Sequence, residues 1–189
     1  MIRIGILGDI GSGKSYVAKN FGYPVFNADA EVGKLYKENR KIFNKLKKVL
    51  PKYFHSFPIE KKEVSKAILA NNQNFKKIIK IIHLEIQKKI NNFLKKNKNK
   101  KIVILDVPLL LENKINKKKD ILIFVQSKKS DILKRLKKRD NFNNKVYKKF
   151  KNIQLPLDYK RNKSQFIIKN NFKRKSVKKD IKNILNEIL

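Results

Sequence analysis

Apolar positions along the chain fall into two rhythms. The first is the short, nearly unbroken run. Ile2-Arg3-Ile4-Gly5-Ile6-Leu7 predicts a buried first strand, and Tyr23-Pro24-Val25-Phe26-Asn27 predicts a short second one that ends at Asn27-Ala28-Asp29. Ile102-Val103-Ile104-Leu105-Asp106 is the clearest run and reads as a central parallel strand. Asp120 to Val125 and Gln165-Phe166-Ile167-Ile168 predict a fourth and a fifth strand.

The second rhythm is helical. Ser15 to Phe21 reads as the first turns of a helix. Across residues 30–50, Val32, Leu35, Tyr36, Ile42, Phe43, Leu46 and Val49 predict one amphipathic helix, ended by Pro51 and followed by a connector holding Pro58. From Lys61 the pattern resumes through Val64, Ala67, Ile68 and Leu69. A longer helix then carries Phe75, Ile78, Ile79, Ile82, Leu84, Ile86, Ile90 and Phe93. Lys95 to Lys101 is a charge run read as a solvated turn. Ser130 to Asp140 predicts a helix, residues 141–163 a weakly helical, mobile stretch, and Val177 to Leu189 a closing amphipathic helix. Strands alternating with helices point to an α/β fold with a parallel sheet.

One stretch organises the chemistry. Gly8-Asp9-Ile10-Gly11-Ser12-Gly13-Lys14-Ser15 matches the phosphate-binding pattern G-x-x-x-x-G-K-[ST]. Glycines at 8, 11 and 13 let backbone N–H groups turn inward around a polyphosphate. Lys14 supplies a compact charge for the β- and γ-phosphates, and the Ser15 hydroxyl suits Mg²⁺. The preceding strand and the following helix, whose N-terminal dipole favours an anion, are the required setting.

Composition narrows the partners. A chain of 189 residues suits one compact unit, and zero cysteines exclude disulfides and thiolate metal sites. The chain opens directly on a strand and has no apolar stretch long enough to span a bilayer, so we expect no signal peptide, no membrane partner and a cytoplasmic location. The net charge of +34 would ordinarily suggest nucleic acid. Of 49 basic residues, however, only six are arginines, at 3, 40, 135, 139, 161 and 174. The lysines are dispersed and rise together with asparagine and isoleucine, the mark of drift toward A/T-rich codons. A selected nucleic-acid face would be clustered and arginine-rich, so no specific nucleic acid is expected.

Four further features could carry chemistry. Asp29 follows the second strand, where side chains of an open α/β sheet face the ligand crevice, but its position equally suits a cap on a helix starting near Ala30. Asp106 closes a buried strand as the Walker-B acid does, positioning Mg²⁺ directly or through water, or it closes a simple strand-end turn. Arg135 and Arg139 stand one helical turn apart and suit bidentate phosphate contact, or a solvated face. His83 lies alone on its helix, where a structural role is the commoner one.

In combination these residues resemble one family, the dephospho-coenzyme A kinases. The resemblance rests on the loop, on Asn27-Ala28-Asp29, on His83-Leu84 and on Asp106-Val107-Pro108-Leu109-Leu110-Leu111-Glu112-Asn113. It continues through Arg135 with Arg139-Asp140, and through Gln154-Leu155-Pro156-Leu157-Asp158-Tyr159-Lys160-Arg161 leading to Asn170. It runs from Ile2 to about Asn171. Three departures are visible: Asn27 for the first acid of an Asp-Ala-Asp triplet, Leu84 for a proline, and Ser164-Gln165 for a late Ala-Asp.

The resemblance implies a P-loop kinase fold, with a nucleotide-binding core at 1–31, 99–127 and 164–189. A helical acceptor-binding insertion would occupy 32–98 and a small lid 128–163. It implies transfer from ATP, with Mg²⁺, to the ribose 3′-hydroxyl of dephospho-coenzyme A, by a monomer. Asp29, Lys14 and Arg139 would be catalytic. ATP would be held by Gly8, Gly11, Ser12, Gly13, Lys14, Ser15, Tyr16, Arg135 and Arg139. The acceptor would meet Asp29, His83, Pro108, Leu109 and Glu112, and the metal Ser15 and Asp106. The alternatives are another nucleoside or nucleotide kinase of this fold, or a nucleic-acid-binding P-loop protein.

Overall fold

The structure, a computed structural model, describes residues 1–138 and 142–189; Arg139, placed above among the catalytic and ATP-binding residues, lies outside them. The described elements, in chain order, begin with β1 (Ile2–Gly8), α1 (Lys14–Asn20) and β2 (Val25–Asn27). Four helices follow: α2 (Ala28–Glu38), α3 (Arg40–Val49), α4 (Lys61–Ala70) and α5 (Asn72–Lys96). Then come β3 (Ile102–Asp106), β4 (Ile121–Gln126), α6 (Lys129–Lys137), α7 (Asn144–Asn152), α8 (Leu157–Asn162), β5 (Phe166–Lys169) and α9 (Arg174–Ile188).

The strands form one parallel sheet in the order β2-β3-β1-β4-β5. Successive side chains of a strand point to opposite faces, and here both faces are apolar. Ile4, Ile6, Ile102, Ile104, Ile123 and Val125 pack with Val17 of α1, with Phe21 just past its end, and with Val177 and Ile181 of α9. Leu7, Phe26, Leu105, Leu122 and Phe124 join the other cluster, with α2 to α5. Phe75, Ile78, Ile82, Ile86 and Ile90 make the buried stripe of α5 at helical spacing, each worth about 1.5–3 kcal/mol of burial. Gly5 serves this packing directly: a Cβ there would meet Leu110 Cδ2 at 2.5 Å and Leu122 Cδ2 at 2.9 Å. Its bare backbone lets the turn after β3 settle onto the sheet.

Several boundaries differ from the sequence reading. The single helix expected over 30–50 is two helices, because Asn39 leaves helical geometry at φ −102° and ψ 91°. Its N–H closes α2 on the Leu35 carbonyl, while its side chain opens α3 by accepting from Ile42 N at 3.0 Å. Asparagine favours caps over helix interiors for this reason. Asp120 precedes β4 and pairs with Arg3 at 3.0 Å, so the strand starts one residue later than expected. The stretch 141–163 is not weakly helical over its described part: it holds α7 and α8. Asn143 caps α7 by accepting from Lys145 N and Val146 N. The helix buries none of its residues deeply, so periodicity gave little sign of it.

Candidate active site

The site is built on the carboxyl edge of the sheet. Residues 9–13 leave β1 as a tight loop that delivers Lys14 and Ser15 to the start of α1. Gly13 adopts φ +91°, and a Cβ there would collide with the amide of Asn170. That amide donates to the Ser12 carbonyl at 2.8 Å, and the Ser127 hydroxyl donates to the same oxygen at 2.9 Å. The loop is thus pinned from the ends of β4 and β5. Buried Ser12 Oγ, by contrast, has no hydrogen-bond partner among the described residues, and an oxygen-rich ligand suits it.

Lys14 is buried and donates to the Asp9 carbonyl at 2.8 Å and the Gly8 carbonyl at 3.3 Å. Burial pushes its pKa below the ordinary lysine range, and the positive charge of Lys160 adds to this. The carboxylates of Asp106, Asp29 and Asp9 act in the opposite direction. A lysine, three acids and a second lysine therefore share one electrostatic neighbourhood.

Register brings the metal-type ligands together. β2 and β3 pair with Asn27 directly beside Asp106. Asn27 Nδ2 donates to Asp106 Oδ2 at 2.5 Å and lies 3.3 Å from the Ser15 hydroxyl oxygen, so one amide bridges the two. Among the described residues no three His, Cys, Asp or Glu side chains converge on a metal cage. A hydroxyl and one buried carboxylate beside a phosphate loop nevertheless fit Mg²⁺, which takes one or two carboxylates together with phosphate oxygens and waters.

Asp29 is not the helix cap. α2 starts at Ala28, and Asn27 caps it by accepting from Ala30 N at 2.7 Å. Asp29 stands exposed in the first turn, near enough to Lys14 for its charge to act there. Asn27, read in the sequence as a lost acid, instead caps α2 and holds Asp106.

The remaining residues divide. Tyr16 is exposed on α1. Arg135 is exposed on α6 and lays its guanidinium over the Phe172 ring, 4.3 Å from the centroid. Phe172 in turn lies beside Gly13. Pro108 and Leu109 are half-buried in the turn after β3. Glu112, in the same turn, is committed to the protein: Oε1 accepts from Lys160 Nζ at 2.6 Å and from Leu155 N at 2.9 Å. Its buried Oε2 has no hydrogen-bond partner among the described residues. His83 lines a separate shallow cavity of about 320 Å³ with Lys76, Ile79, Lys80, Leu84 and Asn113; no phosphate-loop residue borders it.

Lys160, only 1% exposed, is the functional candidate that residue-level reading missed. It sits in the quoted segment 154–161, but one lysine in so basic a chain carries no sequence mark of burial. Gln165, read as a departure, ties β4 to the start of β5 by accepting from Leu122 N at 2.7 Å.

Known proteins resemble this chain along nearly its whole length. A family model described as dephospho-CoA kinase matches residues 2–176. A dephospho-CoA kinase of Wolbachia sp. subsp. Brugia malayi is 33% identical over 98% of this chain and 97% of its own. That of Wolbachia pipientis wMel is 32% identical with the same coverage. Among solved structures, TT1252 from Thermus thermophilus superposes with a TM-score of 0.80 at 23% identity, covering 100% of this chain and 98% of its own. A dephospho-CoA kinase from Campylobacter jejuni superposes at 0.64 and 22% identity, covering 98% and 96%. With the family model matching residues 2–176 and a relative 33% identical over nearly the whole length, the chain belongs to the dephospho-CoA kinase family.

Proposed function

We propose that the protein transfers the γ-phosphoryl group of ATP to the ribose 3′-hydroxyl of dephospho-coenzyme A, giving coenzyme A and ADP. The observation that carries this is the meeting of Lys14, Asp29 and Asp106 in one neighbourhood at the carboxyl edge of the sheet, within a chain of this family.

The loop backbone and Lys14 hold the β- and γ-phosphates; to do so Lys14 exchanges its bonds to the Gly8 and Asp9 carbonyls for phosphate oxygens. Ser15 and Asp106 would hold Mg²⁺, which supplies charge neutralisation on the phosphates when bound. Asp29 orients the 3′-hydroxyl and accepts its proton as the new O–P bond forms and the bond to the leaving ADP oxygen breaks. Arg135, already placed over Phe172 beside Gly13, supplies a second positive group at the nucleotide. The helices between β2 and β3 serve the acceptor, and Pro108 and Leu109 shape its entry beside Asp106. Glu112 contributes by fixing Lys160. His83 takes a peripheral part at the insertion surface.

The test is direct. Purified protein is incubated with ATP, Mg²⁺ and dephospho-coenzyme A, and coenzyme A and ADP are measured, with nucleosides and shikimate as competing acceptors. Formation of coenzyme A in step with ADP is the expected result. Preference for another acceptor overturns the assignment.

A further inference from the structure

The second residue of the phosphate loop is an acid. Asp9 is only 9% exposed and stands in a loop whose glycines, helix terminus and Lys14 all suit an anion. A carboxylate there works against that purpose, because like charges at short range in a partly buried site repel strongly.

The structure answers this charge from a distant part of the chain. Asp9 Oδ1 accepts from Ile10 N at 2.7 Å and from Lys151 Nζ at 2.6 Å. Among the described residues this is the one ion pair that reaches the phosphate loop. Lys151 does not arrive on a free arm. Its helix, α7, rests on the insertion through Phe150, edge-to-face on Phe75 at 5.0 Å between ring centroids, and through Lys149 Nζ, which donates to Asn72 Oδ1 at 2.6 Å. Tyr147, one turn before Lys151 and on the same face, is also close to Asp9: burial raises its pKa, and the Asp9 charge adds to the shift.

We propose that Lys151 is a positioning residue for nucleotide binding: its ammonium cancels the Asp9 carboxylate, which otherwise repels incoming polyphosphate, and so ties the seat of α7 on the insertion to the charge of the phosphate loop. The inference rests on the proposed use of ATP, but not on the identity of the acceptor.

A double-mutant cycle tests it. Mg-ATP affinity is measured by calorimetry at fixed ionic strength for the parent, Lys151→Met, Asp9→Asn and the double variant, with the melting temperature of each. Lys151→Met is expected to weaken binding about tenfold or more. Adding Asp9→Asn should return affinity to within about threefold of the parent, and Lys151→Arg should keep it. Should Lys151→Met fail to fold, Lys151→Gln closes the same cycle. Two results overturn the proposal: no loss on Lys151→Met, or an equal loss with and without the Asp9 carboxylate, which would make Lys151 a direct nucleotide contact. A parent that binds Mg-ATP but does not phosphorylate dephospho-coenzyme A overturns the proposed function and leaves this cycle to be scored. A parent that binds no nucleotide overturns both.

Discussion

Asn27 and Asp106 end neighbouring strands, and the Asn27 amide donates to the Asp106 carboxylate at 2.5 Å while its own carbonyl oxygen caps α2. One side chain therefore starts a helix and orients the acid proposed to serve Mg²⁺. Asn27→Asp keeps the cap, since the two residues cap about equally well, but sets two carboxylates side by side. Without Mg²⁺ the variant should lose about 1–3 kcal/mol, roughly 2–4 °C of melting temperature per kcal/mol, and added Mg²⁺ should restore it. Melting curves with and without Mg²⁺ check this; no response to either change removes the pair from the metal site.

Asp29→Asn separates chemistry from stability. With Asn27 as the cap, Asp29 is not needed to start α2, and as an acid in the first turn it adds about 0.3–1 kcal/mol through the helix dipole. Turnover should fall by about 10²-fold or more, the usual worth of a positioned acid–base group, with ATP affinity retained. Turnover within a few-fold of the parent would pass the role of base to Asp106.

Lys14 makes two predictions of opposite kind. Lys14→Ala should cut turnover by at least about 10²–10³-fold while the protein stays folded, read from turnover and circular dichroism on one preparation. Burial lowers the Lys14 pKa from the ordinary 10.5, so the folded chain binds fewer protons than the unfolded one between those two values. Its contribution to stability therefore rises with pH across that window. Phosphates placed against Lys14 raise its pKa again, so Mg-ATP binding at alkaline pH should take up protons. Calorimetry in buffers of different ionisation heat reads the sign, and proton release would contradict it.

The Lys160–Glu112 pair is almost wholly buried, with side chains 1% and 9% exposed. Lys160→Met leaves a buried carboxylate without its counter-ion and should cost about 3–5 kcal/mol. Lys160→Met with Glu112→Gln should recover most of that loss, because neither partner is then charged. Chemical denaturation of the parent and both variants measures the difference.

How much was legible follows from the range of each signal. The phosphate loop, β1 and β3 declare themselves within a few residues, because a glycine pattern and an apolar run are local facts. The family resemblance is built from such local segments. The break at Asn39 was hidden, since the apolar positions of α2 and α3 continue one helical stripe and only the cap geometry divides them. The choice between cap and base at Asp29 was open for a similar reason: a cap is decided by where the helix begins, and helix ends are the least certain part of a pattern.

The sequence by itself determined the α/β class, the nucleotide loop, the acid closing β3 and the family, each through short-range pattern and residue type. Tertiary structure alone decided that Asn27 serves Asp106 across 79 residues, that Lys151 answers Asp9 across 142, and that Lys160 is buried against Glu112. The physical reason is that in a chain with 49 basic residues no single lysine is marked by its neighbours in sequence. Its role is set by strand register and helix docking, which choose the one carboxylate that each buried or bridging charge meets.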